Sequence, residues 1–397
     1  MIPLLLAFVL AQETPWSFDP AEGVRVRSGD GEFEFHAGGR FIGQFRQISG
    51  RPGGRRTEPN TFTVREAFLQ LDGTVLREFR FHAAWDFAGG SDLDQAFVEW
   101  KRSEEFGLRL GQVRQPAGQE GLTSTLFTDC IERSTLNRFV PALEPGLLAS
   151  GELEGGLVGY QASLWIRRGD DREAIVRVTT TPFVAEPECI LRRLRLGVTG
   201  SVGEADEISM ASDFDVTTTE LSVTILDSTA GLLDGRRLRA GMDLSWEIGP
   251  ASVRGEVLWR RDEVRDAAGA VEERLRVRAW YGQVSCILFG AEKIAETRLT
   301  PVRPFDLSEG HWGAFEVVFR ASGAAVGSEE YVAVGNTLAG QSNRVWVLTG
   351  GFNWYPVRNV RLSANLVHED YRREVGFSRG VTKDSLFGLL VRFQVDF

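Results

Sequence analysis

Counted back from Phe397, every second residue is apolar: Val395, Phe393, Val391, Leu389 and Phe387. Between them stand Asp396, Gln394, Arg392, Leu390, Gly388 and Leu386. A period of two puts the two sets on opposite faces of one strand. The same alternation runs through Phe33–Phe45, Phe79–Phe87, Leu238–Trp246, Val253–Trp259, Gly313–Phe319 and Val360–Leu366. It predicts further strands near 64–74, 94–100, 107–113, 158–166, 173–181, 191–199, 277–289 and 344–355. Turn signals fall between them at Asp30-Gly31, Gly169-Asp170, Asp234-Gly235, Gly249-Pro250 and around Pro356 to Asn359. No pattern supports a helix longer than two or three turns. The charged runs at 260–276 and 369–384 read as exposed hairpin loops.

These segments average about ten residues, the length a tilted strand needs to cross a bilayer. Mean hydropathy is only −0.14, and no later apolar run is long enough for a spanning helix. In a barrel that is no objection, because only alternate residues face lipid. The terminal strand, ending on an aromatic, resembles the closing strand of a bacterial outer-membrane β-barrel. In that class the terminal pattern is also the signal read by the barrel-assembly machinery. Ile2 to Ala11 (IPLLLAFVLA) forms a short apolar run before Gln12-Glu13-Thr14-Pro15. With Val9 and Ala11 at small-residue spacing it predicts a signal peptide over 1–11, although no Lys or Arg precedes it. Residues 12–30 then form a periplasmic lead-in and 31–397 the barrel.

Two features favour a lipid-facing apolar side and a polar lumen over the reverse arrangement of a soluble sandwich. The apolar faces carry Trp85, Trp100, Trp246, Trp259, Trp280 and Trp354 toward strand ends, as interfacial girdles do. The polar faces carry full charges in mid-strand. Fourteen arginines, from Arg40 to Arg392, fall there against nine acids, although the whole chain has a net charge of −10. The inferred lumen is therefore mildly basic and the loops acidic. Three lysines stand among the 45 basic residues, so 42 are arginine. An acidic chain with scattered arginine argues against nucleic-acid binding. Cys130, Cys189 and Cys286 cannot all pair, and none sits at metal-ligand spacing. A Cys130–Cys189 bridge is left open, and Cys286 reads as an inert small hydrophobe.

The chain is similar to the phosphate-selective porin family over nearly all of residues 31–397. The resemblance is carried by Gly38-Gly39-Arg40, Val64 to Gly73 (VREAFLQLDG), Phe81 to Phe87, and Asp94 to Val98. It continues through Leu110 to Val113 with Pro116, Ile131 to Ser134, Phe139-Val140-Pro141, Trp280 to Ser285, Gly313 to Glu316, and Asn353 to Pro356. It implies an all-β transmembrane antiparallel barrel of 16 strands, an inward constriction loop near Pro116 to Gly146, and a homotrimer in the bacterial outer membrane. It also implies passive diffusion of small, phosphate-like inorganic or organic anions. No cofactor, metal or catalytic residue is expected. Arg133 and Arg138 are the cations available in the constriction loop, with Arg114 just before it. Arg80, Arg193, Arg195, Arg239, Arg254 and Arg320 are the expected wall cations, and Phe397 the insertion signal. With almost no lysine, the chain departs from the family pattern, and weak to moderate anion preference is expected rather than strict phosphate selectivity.

Three other readings stay open. One is a general porin on the same barrel. A second is a barrel enzyme, but the four histidines give no triad: His82 and Asp86 share a face about 13 Å apart, too far for a hydrogen bond. The third is a soluble secreted β-protein, which partitioning between outer membrane and periplasm would separate.

Overall fold

The computed structural model describes residues 16–19, 23–49, 60–90, 92–141, 143–167, 171–210, 214–291, 299–378 and 381–397. The predicted signal peptide and the turn at Gly169-Asp170 lie outside them. A short hairpin, β1 (Trp16–Asp19) and β2 (Gly23–Arg27), leads in. The first half of the wall is β3 (Phe33–Ile48), β4 (Asn60–Val75), β5 (Phe79–Asp86), β6 (Asp92–Lys101), β7 (Gly107–Arg114), β8 (Leu143–Leu153), β9 (Val158–Ile166), β10 (Arg172–Thr180) and β11 (Leu194–Ser209). Two short strands, β12 (Val216–Thr217) and β13 (Thr224–Leu226), pair only with each other. The second half is β14 (Leu232–Ile248), β15 (Ala251–Arg265), β16 (Glu272–Phe289), β17 (Ala314–Val326), β18 (Arg344–Val357), β19 (Val360–Ser378) and β20 (Val381–Asp396). Each wall strand pairs antiparallel with the next. Gly388–Asp396 of β20 then pairs with Arg40–Ile48 of β3, which closes a 16-stranded barrel. An even strand count puts both chain ends on one side of the membrane.

Closure depends on two glycines in the first strand. A Cβ on Gly38 would stand 2.5 Å from the Phe397 carbonyl oxygen, and one on Gly39 would stand 2.9 Å from its ring. The Gly39 N–H donates to the Phe397 carbonyl and the Phe397 N–H returns a bond to Gly39. The Gly-Gly pair is where the terminal aromatic seats against β3.

The faces divide as the alternation predicts. Met242, Val391 and Phe393 are exposed on the outer surface, while Arg239, Glu316 and Arg392 are buried inside. Trp346 and Trp354 stand eight positions apart on β18, about 27 Å of strand. After tilt that matches an apolar band of roughly 25 Å. Trp280 stands mid-strand in β16 rather than at its end, edge-on to Trp346 at 5.2 Å.

Two expectations need correction. The charged runs are not loops: β15 reaches Arg265 and β16 begins at Glu272, and β19 and β20 extend to Ser378 and Val381. Charge pairs such as Arg274–Glu263 (3.9 Å) and Arg265–Asp234 (2.7 Å) let the sheet continue past the membrane as solvated strands. The lead-in joins the sheet, because β2 pairs Val24–Arg27 with Glu34–Ala37 of β3 and prolongs the sheet beneath the barrel. The far end of the interior, finally, is apolar rather than polar. Leu233, Val264, Leu275, Val277, Val345 and Val347 face inward there and pack with Ile131, Leu136, Phe139, Leu221 and Ile225 in one buried core.

Candidate functional site

The core exists because two connections fold into the lumen. Residues 115–141, between β7 and β8, form the expected inward loop, with one short helix, α1 (Gln119–Leu122). Segment 214–231, carrying β12 and β13, folds in beside it and was not anticipated. Its sequence signal is a buried apolar series (Phe214, Val216, Leu221, Val223, Ile225) among threonines, where an exposed loop would be polar. A third piece, α2 (Ser328–Ala333), adds Tyr331 to the same core.

The first loop starts at Gly118, whose φ of 150° and lack of a side chain let it press against the Glu256 carboxylate. The Glu120 N–H donates to Glu256 at 3.1 Å. The loop then runs along the second half of the wall. Gln283 donates to Asp129 (2.9 Å), Asn353 to the Asp129 carbonyl (2.9 Å), and Arg361 to the Thr128 carbonyl (2.8 Å). The Ile131 N–H donates to Asn365 (2.7 Å), and Arg392 meets Glu132 at 3.2 Å. Burial works to raise the Glu132 carboxyl, but Arg392 and then Arg65 outweigh it and hold it below the usual range. Burial pushes the Cys130 thiol up to about 12, so it stays protonated and inert. All three cysteines are free, and no Cys130–Cys189 bridge forms.

The first half of the wall keeps an open space. A cavity of about 570 Å³ is bounded by β3–β11, by the chain end and by residues 119–127 of the loop. Its charged lining is Arg40, Arg109, Arg114, Arg177 and Arg195 against Asp94 and Asp396. Most of these cations have carboxylate neighbours: Arg40–Glu66 at 2.6 Å, Arg109–Glu99 at 3.0 Å, Arg114–Asp94 at 3.6 Å and Arg177–Asp243 at 2.6 Å. Arg40 also lies over the Phe68 ring at 3.7 Å, a cation–π contact that helps hold its guanidinium in place. Arg195 has no ion-pair partner among the described residues. Arg65 of β4 lies near Arg133 of the loop, and Arg114 lies near both Arg133 and Arg40. Regular alternation would put Arg65 on the lipid face beside Glu66's inward side chain. Instead the ladder skips it, pairing Ile42 with Glu66 and Gly43 with Val64. The bulge turns Arg65 inward to within 3.6 Å of Glu132.

The remaining sequence-predicted cations have other settings. Arg133 donates to the carbonyls of Glu120 (3.2 Å) and Thr123 (2.7 Å) within the loop. Arg138 donates to the Asp215 carbonyl of the second inward segment at 3.2 Å. Arg239 is buried against Glu173 and the Phe139 carbonyl, and Arg320 against Glu120 (3.1 Å) and Glu220 (3.2 Å). Arg254 is buried 3.9 Å from Glu247. Arg80 is half-exposed near the chain-end rim, 3.9 Å from Glu99, and Arg193 is exposed just before β11. His82 bonds Asp72 at 2.7 Å, not Asp86. Among the described residues no cluster suits a metal ion.

A model of the family described as phosphate-selective porin O and P matches residues 35–397. The chain belongs to that family. It is an outer-membrane porin, a channel rather than an enzyme, and it resides in the bacterial outer membrane. Porin O of Pseudomonas aeruginosa is 22% identical over 383 residues, covering 87% of this chain and 85% of that protein. Among solved structures, the anion-selective porin from Comamonas acidovorans superposes with a TM-score of 0.59 at 11% identity, covering 92% of this chain and all of that one. The outer membrane channel DcaP of Acinetobacter baumannii gives 0.58 at 12% identity, covering 93% and 99%. At such identities these structures speak for the shared barrel fold.

Proposed function

We propose that this porin passes small, phosphate-like anions with a weak to moderate preference over cations. The observation that carries the reading is the lining of the open cavity: five arginines against two aspartates, with Arg195 lacking an ion-pair partner among the described residues. A water-filled passage with low-dielectric walls amplifies the field of uncompensated charge and so biases which ions enter. The bias is modest because Arg40, Arg109, Arg114 and Arg177 each spend much of their field on a carboxylate. The anion path runs from the cavity past Arg40, Arg65, Arg114 and Arg133 at the constriction. Arg80 and Arg193 add cationic charge toward the chain-end rim. Arg138, Arg239 and Arg320 serve the path indirectly, by holding the inward segments, while Arg254 is buried against Glu247 within the wall.

Export by an N-terminal signal peptide, insertion through Phe397 and the assembly machinery, contact with outer-membrane lipid, and a homotrimer complete the reading. A trimer form is described for OmpT of Vibrio cholerae, whose chain superposes with a TM-score of 0.52. The test is the reversal potential of purified protein in planar bilayers under a salt gradient. Anion preference that weakens as salt rises supports the reading. Cation preference replaces it with a general porin.

A further inference from the structure

Two inward segments meet at one wall residue. Arg320, in the middle of β17, is 2% exposed and sends one guanidinium nitrogen to each segment. Nη1 lies 3.1 Å from Glu120 Oε1 in the first loop, and Nη2 lies 3.2 Å from Glu220 Oε1 in the second. Both carboxylates then reach the residues flanking Arg133. Glu120 accepts from the Ser134 N–H (2.8 Å) and its hydroxyl, while its own carbonyl accepts from Arg133 Nε. Glu220 accepts from the Thr135 hydroxyl at 2.8 Å and from Ser322 at 3.1 Å. The neighbouring Thr219 hydroxyl donates to the Arg133 carbonyl at 2.7 Å.

We propose that Arg320 is the positioning residue of the constriction, fixing Arg133 in the ion path by clamping both inward segments through Glu120 and Glu220. The second segment is then part of the selectivity apparatus rather than a passive plug. Arginine is needed because its planar fork serves two carboxylates at once, whereas a lysine ammonium is a single point charge. Loss of the fork leaves two buried carboxylates uncompensated and releases the loop that bears Arg133. The inference rests on the proposed anion path, because it assigns Arg133 a place there.

The test joins a permeation readout to one independent of permeation. In the unmodified barrel, Arg133→Ala should lower the anion-to-cation permeability ratio. In the Arg320→Gln background that effect should vanish, and Arg320→Lys should restore only part of it. In a Cys189→Ser, Cys286→Ser background, Cys130 is the sole thiol, 1% exposed in the first loop. Its reaction with an uncharged water-soluble maleimide should run about tenfold faster or more in Arg320→Gln, since exposure then follows loop opening. If Arg320→Gln fails to assemble, Glu220→Gln tests the same clamp and should move both readouts the same way by less. The same fractional effect of Arg133→Ala in both backgrounds, or Cys130 equally protected, would overturn the inference. An ineffective Arg133→Ala in the unmodified barrel removes Arg133 from the ion path, while the Cys130 rate still decides whether Arg320 holds the loop.

Discussion

The two halves of the wall carry similar rows of inward arginine and use them differently. Along β3–β11 the rows face a cavity, and the strands from β5 to β10 are short, at eight to eleven residues. Along β14–β20 the strands run to 17, 18 and 19 residues in β14, β16 and β19. There Arg239, Arg320, Arg361 and Arg392 are buried under the inward segments. One half presents charge to solutes. The other uses charge as fasteners. Residue type and strand face are the same in both, so the difference comes from what the lumen side of each arginine meets.

The comparison breaks most visibly on stability. Arg239→Ala leaves Glu173 buried without its cation and should cost about 3–5 kcal/mol. It should appear as a lowered unfolding midpoint in heat-modifiability gels. Arg195→Ala, on the open half, should leave that midpoint unchanged. Equal midpoints for the two variants would erase the division between halves.

Deleting Phe397 should reduce barrel yield in the membrane while leaving the conductance of inserted channels close to normal, because the residue seats against Gly38 and Gly39 at the chain-end edge of the cavity. Gly39→Val should mimic the deletion, since its Cβ would already stand 2.8 Å from the Phe68 carbonyl. Normal levels of heat-modifiable barrel from either variant would count against that role.

The smallest expected effect concerns pH. The Glu132 carboxyl is held below its ordinary 4.5 by Arg392 and Arg65, despite burial. A depressed carboxyl contributes stability above 4.5, which is lost as pH falls through the folded value. Loop attachment at Glu132 should therefore be constant from pH 7 to 5 and weaken only below that. Channel noise that rises already at pH 6 would point to another titrating group.

Much of the barrel was legible because lipid outside and polar groups inside impose a period of two that the chain cannot hide. Legibility failed where the period itself broke. Arg65 sits at a bulge, and a bulge changes face without changing composition. Val345 and Val347 face inward, yet the alternate Trp346 and Leu348 are also apolar, so both faces look alike where the loops fill the lumen. The strands at 260–276 looked like loops because cross-strand charge pairing resembles solvated charge in a linear sequence. The roles of the arginines depended on contacts between residues 100 and 260 positions apart, such as Arg320 with Glu220 and Arg392 with Glu132. The Glu256 contact at Gly118 has the same long range, and no local pattern encodes it.

The most direct measurement is the reversal potential of Arg195→Glu beside that of Arg254→Gln in the same salt gradient. Arg195 lines the open cavity without an ion-pair partner among the described residues, whereas Arg254 is buried on the fastening half. The account predicts that Arg195→Glu shifts the permeability ratio toward cations by about twofold or more, since the charge change is uncompensated in the passage. Arg254→Gln should shift it by much less. An unmoved potential for Arg195→Glu, or a larger shift from Arg254→Gln, would contradict it.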